Sequence, residues 1–176
     1  MASLQDLDSE ELTQRLTYAG FALVGFELVK SMIVGPIKFF YAGMKFGPGV
    51  PFKSYKEDVR TRASDEFEAC LLYLRDCLEA IDEHDMATIQ DLRKHRNELA
   101  HDLVEKLPTL HIDPALWERV DRTLFRLSNY RTRMEIGADP RFRGVDWDTV
   151  KGHEYLLFKH IVERVKALNG VSRGGA

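Results

Sequence analysis

The chain has 176 residues, 44% of them hydrophobic and 30% charged, with a formal net charge of −3. This composition excludes wholesale disorder, and the length suits one domain with a proper core. With no excess of positive charge there is no global attraction for nucleic acid, so such a partner has to be held by a local patch.

The N-terminal stretch MASLQDLDSEEL is acidic and has neither the basic start nor the apolar run of a secretory signal. A cytoplasmic protein is expected. The first helix begins near Ser9, with Glu10 and Glu11 in a favourable first turn, and runs to about Val34. Gly35-Pro36 is expected to break or kink it, with Ile37 to Met44 as a short continuation. Residues 18–46 are apolar almost all round, but Glu27, Lys30, Lys38 and Lys45 interrupt them. Their longest uncharged run falls short of the roughly 18 to 20 residues of a membrane span. The expectation is a core helix covered by several neighbours or by a second subunit, with no membrane partner.

FGPGVPFKS, residues 46–54, reads as a loop. The second helix is expected from Tyr55 to Ile81, with Val59, Ala63, Phe67, Cys70, Leu74, Cys77, Leu78 and Ile81 as its stripe. Cys70 and Cys77, seven residues apart on one helix, would stand about 10 Å from each other, too far for a disulfide. Both read as reduced core residues. The third helix spans about Asp85 to Leu107 and stops at Pro108. The fourth starts at Asp113-Pro114, a cap followed by proline at the first helical position, and continues to Ile136. GADPRFRGVD is a loop. The fifth runs from Trp147 to Leu168, with Val150, Leu157, Phe158, Ile161, Val165 and Leu168 on one face. Residues 1–7 and 169–176 read as flexible tails. No segment alternates as a strand does, so the fold class is an all-α bundle of about five helices in a single domain, residues 1–176.

The third helix holds the one residue that breaks its own pattern. On a helical wheel Ile89, Leu92, Leu99, Ala100, Leu103 and Leu107 share a face, with Met86 and Val104 at its edge, and Arg96 lies near the middle. Asn97 and His101, one turn apart, flank the same stripe. A guanidinium stays charged at any physiological pH, so Arg96 has to meet a carboxylate, a carbonyl array, solvent in a cleft or an anionic ligand. A structural ion pair with Asp76 or Glu79 of the preceding helix is one solution. An anion site is the other.

The six residues Arg96-Asn97-Glu98-Leu99-Ala100-His101 resemble the signature of the HEPN superfamily, an arginine separated from a histidine by four to six residues, often with a polar residue after the arginine. Here the spacing is four, the polar residue is Asn97, and the motif lies late in a bundle helix. The resemblance implies a four- or five-helix fold that dimerises so that two copies of the motif line one cleft. It also implies metal-independent cleavage of RNA, often by toxins or antiphage effectors with a cognate antitoxin protein, although other members bind RNA or nucleotide or only scaffold. Carried over to this chain, Arg96 and His101 match the catalytic pair and Asn97 the polar position. A histidine, with an ordinary pKa near about 6.5, can move protons in such a reaction, and an arginine can grip the phosphate. The alternative is a non-catalytic helical dimer that binds RNA, nucleotide or a protein partner in the same cleft.

The fourth helix carries Arg119, Arg122, Arg126 and Arg133 on one face beside Tyr130, a candidate ridge for an RNA backbone. Glu118, Asp121 and Glu135 are interspersed, so a solvated face is the competing reading. Lys53, Lys56, Arg60 and Arg62 form a weaker basic cluster. His84 and His95 with Asp85 and Asp91 do not reproduce a metal-ligand spacing, and no phosphate-binding or dinucleotide glycine motif occurs. Neither a metal nor a cofactor is expected.

Overall fold

Short polar side chains at the start of each apolar segment set the helix boundaries. In this computed structural model, which describes residues 7–43, 53–137 and 139–171, Asp8 accepts the Glu10 and Glu11 amides at 2.8 Å. Six α-helices follow among the described residues: α1 (Ser9–Gly43), α2 (Tyr55–Asp58), α3 (Glu66–Asp76), α4 (Glu83–Lys106), α5 (Pro114–Ile136) and α6 (His153–Val171). Ser54 and Glu57 form a reciprocal capping box for α2, and Asp82 and Asp85 form one for α4. Asp65 caps α3, and Asp113 caps α5 through the Ala115 and Leu116 amides, with Pro114 in place as expected. No strand occurs among the described residues, so the fold is an all-α bundle.

α1 is longer than its sequence suggested. It passes through Pro36 without a break and reaches Gly43. Ile33, Val34 and Ile37 are buried on both sides of the proline, and Tyr41 is half-buried one turn on. Packing by this continuing stripe outweighs the roughly 3 kcal/mol that an interior proline costs. The Lys38 ammonium 2.9 Å from Glu66 and the Tyr41 hydroxyl 2.5 Å from Asp58 tie its end to α2 and α3. By length and composition α1 is also apolar enough to cross a membrane, and 44% of its most apolar 18-residue window is buried inside the protein. The expected loop at 46–54 falls mostly outside the described residues.

The expected second helix is two separate pieces. After α2 comes a 3-10 turn, Arg60–Arg62, then an extended break at Ala63 where Asp65 begins α3. α3 ends at Asp76, and Glu79 takes a left-handed conformation with φ 49° on the way to α4. Cys77 is therefore a terminal, exposed residue rather than a core one, whereas Cys70 is fully buried beneath Tyr55. α6 likewise starts later than expected, after a 3-10 turn at Trp147–Thr149, and runs on to Val171 through part of the expected tail. Phe158, Ile161 and Val165 are buried as expected, with Tyr155 and Val162 beside them, but Leu157 is half exposed.

α1 packs against α3, α4 and α6, and α5 closes the bundle across α4 and α6. Trp117 of α5 stacks on Phe158 of α6 with centroids 6.0 Å apart, and its indole fills the space that Gly25 of α1 leaves open. Tyr18, Phe26, Leu71, Ile89, Leu92 and Leu99 complete this centre.

Candidate functional site

Asp82 starts α4, and Ile89, Leu92 and Leu99 seat it in the core. His95 locks it further. Its Nε2 lies 2.8 Å from the Tyr18 hydroxyl of α1, which in turn accepts from Trp117 Nε1 of α5 at 3.3 Å. Burial holds the His95 imidazole below its ordinary pKa, against the opposing pull of Glu98 and Asp113. Three helices are thus pinned together one residue before the arginine.

Arg96 lies against α1. Its Nη2 donates to Glu27 Oε1 at 2.9 Å, its Nη1 donates to Asn97 Oδ1 at 3.2 Å, and its guanidinium sits 5.5 Å over the Phe26 ring. Its Nε is buried without a hydrogen-bond partner among the described groups. Neither Asp76 nor Glu79 is its partner, since Asp76 pairs with Arg75 and Glu79 belongs to the turn before α4. The sequence itself points to Glu27, the only acidic residue in the apolar run 18–46, as the partner of the only charge in the stripe of α4.

His101 is exposed, and Asn97 is half-buried between it and the arginine. The helix axis rises about 7.5 Å from Arg96 to His101, and their directions differ by about 140°. The motif therefore frames a strip of α4 rather than a single point. Ala100 and Val104 occupy that strip, and both are exposed although the sequence placed them on or beside the core face. Immediately after His101 the helix is kinked, with Asp102 at φ −121°, ψ 25°.

The contacts of Glu27 with Arg96 and of Arg15 Nη1 with the Leu107 carbonyl (2.7 Å) make α1 and α4 antiparallel neighbours. Between those two contacts α1 exposes Leu16, Gly20 and Val24, and over the same stretch α4 exposes Ala100 and Val104. Val24 is 55% and Val104 66% exposed. The exposed apolar residues of both helices thus fall on the stretch that begins at the Arg96–Glu27 pair.

The arginines of α5 do not form one free ridge. Arg126 is taken up by Asp85, which is buried and also accepts from Thr123 at 2.6 Å, and it reaches Asp82 at 3.5 Å. Arg119 pairs with Asp91 at 3.6 Å. Arg122 and Arg133 are exposed, the former beside Glu118. Among the described residues no three His, Cys, Asp or Glu side chains gather as a metal-ligand set. Comparison of the chain with protein-family models, with curated proteins and with solved structures gives no match.

Proposed function

We propose that this protein is a metal-independent endoribonuclease of the HEPN type, acting in the cytoplasm as a homodimer. The observation that carries this reading is the setting of Arg96. An apolar side chain of similar size buried in that stripe would contribute about 1.5–3 kcal/mol. The ion pair with Glu27, which is half exposed, is worth about 0–1 kcal/mol. Stability alone favours the apolar residue, so the charge is better explained by an anionic ligand.

In the proposed reaction the ribose 2′-hydroxyl attacks the adjacent phosphorus, the P–O5′ bond breaks, and a 2′,3′-cyclic phosphate and a 5′-hydroxyl result. The proton leaving the 2′-oxygen and the one reaching O5′ pass through His101, and Arg96 balances the charge that builds on the phosphorane oxygens. Because Arg96 and His101 diverge on one helix, two copies of the motif, brought together over the exposed apolar residues of α1 and α4, are needed to converge on one phosphate. A toxin or antiphage role with a cognate antitoxin belongs to the same proposal.

A second reading is supported by the contacts of Arg96 with Glu27 and Phe26, which give the guanidinium a place in the fold without catalysis. It is a non-catalytic helical dimer that holds RNA, nucleotide or a protein partner in the same cleft. The two separate on one experiment, in which purified protein meets single-stranded RNA in excess chelator beside His101→Ala and Arg96→Ala. Loss of a positioned acid–base group is expected to slow cleavage about a hundred-fold or more. Cleavage that persists in both variants marks a contaminant. Binding without cleavage that disappears in Arg96→Ala selects the second reading. A variant that only melts earlier, with no binding in the wild type, makes Arg96 a structural residue.

A further inference from the structure

The carboxylate of Glu27 stands where a phosphate would have to go. Arg96 presents two terminal nitrogens, and both are engaged: Nη1 by the Asn97 side chain, Nη2 by Glu27 Oε1 at 2.9 Å. The edge formed by Nη2 and Nε, the pair that fits a carboxylate or phosphate in two-point fashion, carries only Glu27, while Nε is buried with no partner. The guanidinium lies over the Phe26 ring, its Cζ 5.5 Å from the centroid, a cation–π contact that favours this placement. A phosphodiester can therefore take the Nη2–Nε edge of Arg96 in two-point fashion only if Glu27 lets go.

We propose that Glu27 is an internal phosphate mimic, a carboxylate latch on α1 that holds the guanidinium of α4 in its binding orientation and yields to the RNA backbone. This rests on the assignment of Arg96 as the phosphate-binding residue. The latch is built to yield. Glu27 is 53% exposed, so its departure into water costs little desolvation, and it has one hydrogen bond to Arg96 where a phosphate offers two. Asn97 stays bonded to Nη1 in either state and keeps the fork in place. The consequence is a site that discriminates by the number of contacts: a doubly anchored phosphate displaces Glu27, whereas chloride, which meets one point, gains too little to do so.

The test measures binding of a 12-nucleotide single-stranded RNA by fluorescence anisotropy in excess chelator, for the wild type, Glu27→Gln, Glu27→Asp, Glu105→Gln and Arg96→Ala. Glu105 is an exposed acid of α4 and controls for the general loss of negative charge. Glu27→Gln is expected to bind up to about five-fold more tightly than the wild type, the scale of an exposed ion pair, and Glu105→Gln to gain less. Glu27→Asp keeps the charge but draws the carboxylate back by one methylene, so it should also tighten binding. If the wild type binds RNA through Arg96 but neither Glu27 variant gains over Glu105→Gln, the latch is wrong and the site stands. Binding by the Glu27 variants alone, lost again when Arg96→Ala is added, supports a latch closed in the wild type. No binding by any of them overturns both the latch and the assignment of Arg96 to phosphate.

Discussion

Gly25 of α1 meets the indole of Trp117 so closely that a Cβ there would lie 2.8 Å from Cη2 and 2.9 Å from Cζ3 of the ring. Trp117 is fully buried and stacked on Phe158, so it cannot move aside cheaply. Gly25→Ala gains up to about 1 kcal/mol in helix propensity and loses about 1–3 kcal/mol to overpacking. We expect a net loss near 1–2 kcal/mol, a fall in Tm of a few degrees. Gly20, five residues earlier, has no atom within 4 Å of the same added Cβ. Gly20→Ala should therefore raise the Tm, and thermal unfolding of the two variants side by side checks both signs.

His95 makes stability depend on pH in a definite window. Its folded pKa is depressed by burial, so on acidification the unfolded chain takes up the proton first, from about pH 6.5 downward. Stability is fully present above that value and is lost as the pH falls to the folded pKa, at no more than about 1.4 kcal/mol per pH unit for one proton. His95→Gln keeps an acceptor for Tyr18 and has no proton to gain. Denaturant unfolding at pH 7.5 and pH 5.5 should show a smaller drop for the variant. An equal drop would assign the acid sensitivity to the carboxylates.

The Asp85 carboxylate is buried and accepts from Thr123, from Arg126 and from the Asp82 amide. Removing it takes the acceptor from the Thr123 hydroxyl and leaves Arg126 with the longer contact to Asp82, and Asp85→Ala should cost about 2–3 kcal/mol. Arg126→Ala should lower stability as well. Arg122→Ala and Arg133→Ala, on open surface, should stay within about 0.5 kcal/mol of the wild type. If α5 touches RNA, the loss of affinity belongs to Arg122 and Arg133, each lowering the salt dependence of binding by about one unit.

Val24 and Val104 test the proposed dimer. Neither lies in the core, so Val24→Asp and Val104→Asp should leave the circular dichroism and the monomer's folding unchanged. Each places a charge on the surface proposed to meet a second copy, and sedimentation at tens of micromolar should shift toward one chain mass. A wild type that already sediments as a monomer there removes the shared cleft.

Fold class and most of the core were legible because α4 and α5 state their limits in the sequence. Asp113-Pro114 is a cap and a first-turn proline, and Leu116, Val120, Leu124 and Leu127 repeat at helical spacing and are all buried. The break between α2 and α3 was hidden because Val59, Ala63 and Phe67 keep a four-residue interval straight through it. The cap at Asp65, followed by Glu68, outweighs that interval by satisfying amides that a continuous helix would leave to its own ladder. Cys77 was misplaced for the same reason. Local chemistry makes Pro36 a break or a kink followed by a short continuation, whereas Ile33, Val34 and Ile37 carry the helix through it by contacts that are distant in sequence. At the site, Arg96 was recognisable as out of pattern, but its partner lies 69 residues away on another helix, beyond the reach of any local rule.

The irregular backbone at Asp102 sets the end of the regular part of α4, with the whole motif on its N-terminal side. Leu92, Arg96 and Leu99 belong to the turns that the core seats, with His95 bolted to Tyr18 and Trp117. His101 is the last residue before the joint. A residue inserted between Leu99 and His101 would swing the imidazole by about 100° around the axis, while the arginine stayed where it is. The reach between guanidinium and imidazole is thus tied to the packing beyond it, because the same insertion turns Leu103 and Leu107 away from the protein interior unless the joint at Asp102 absorbs it.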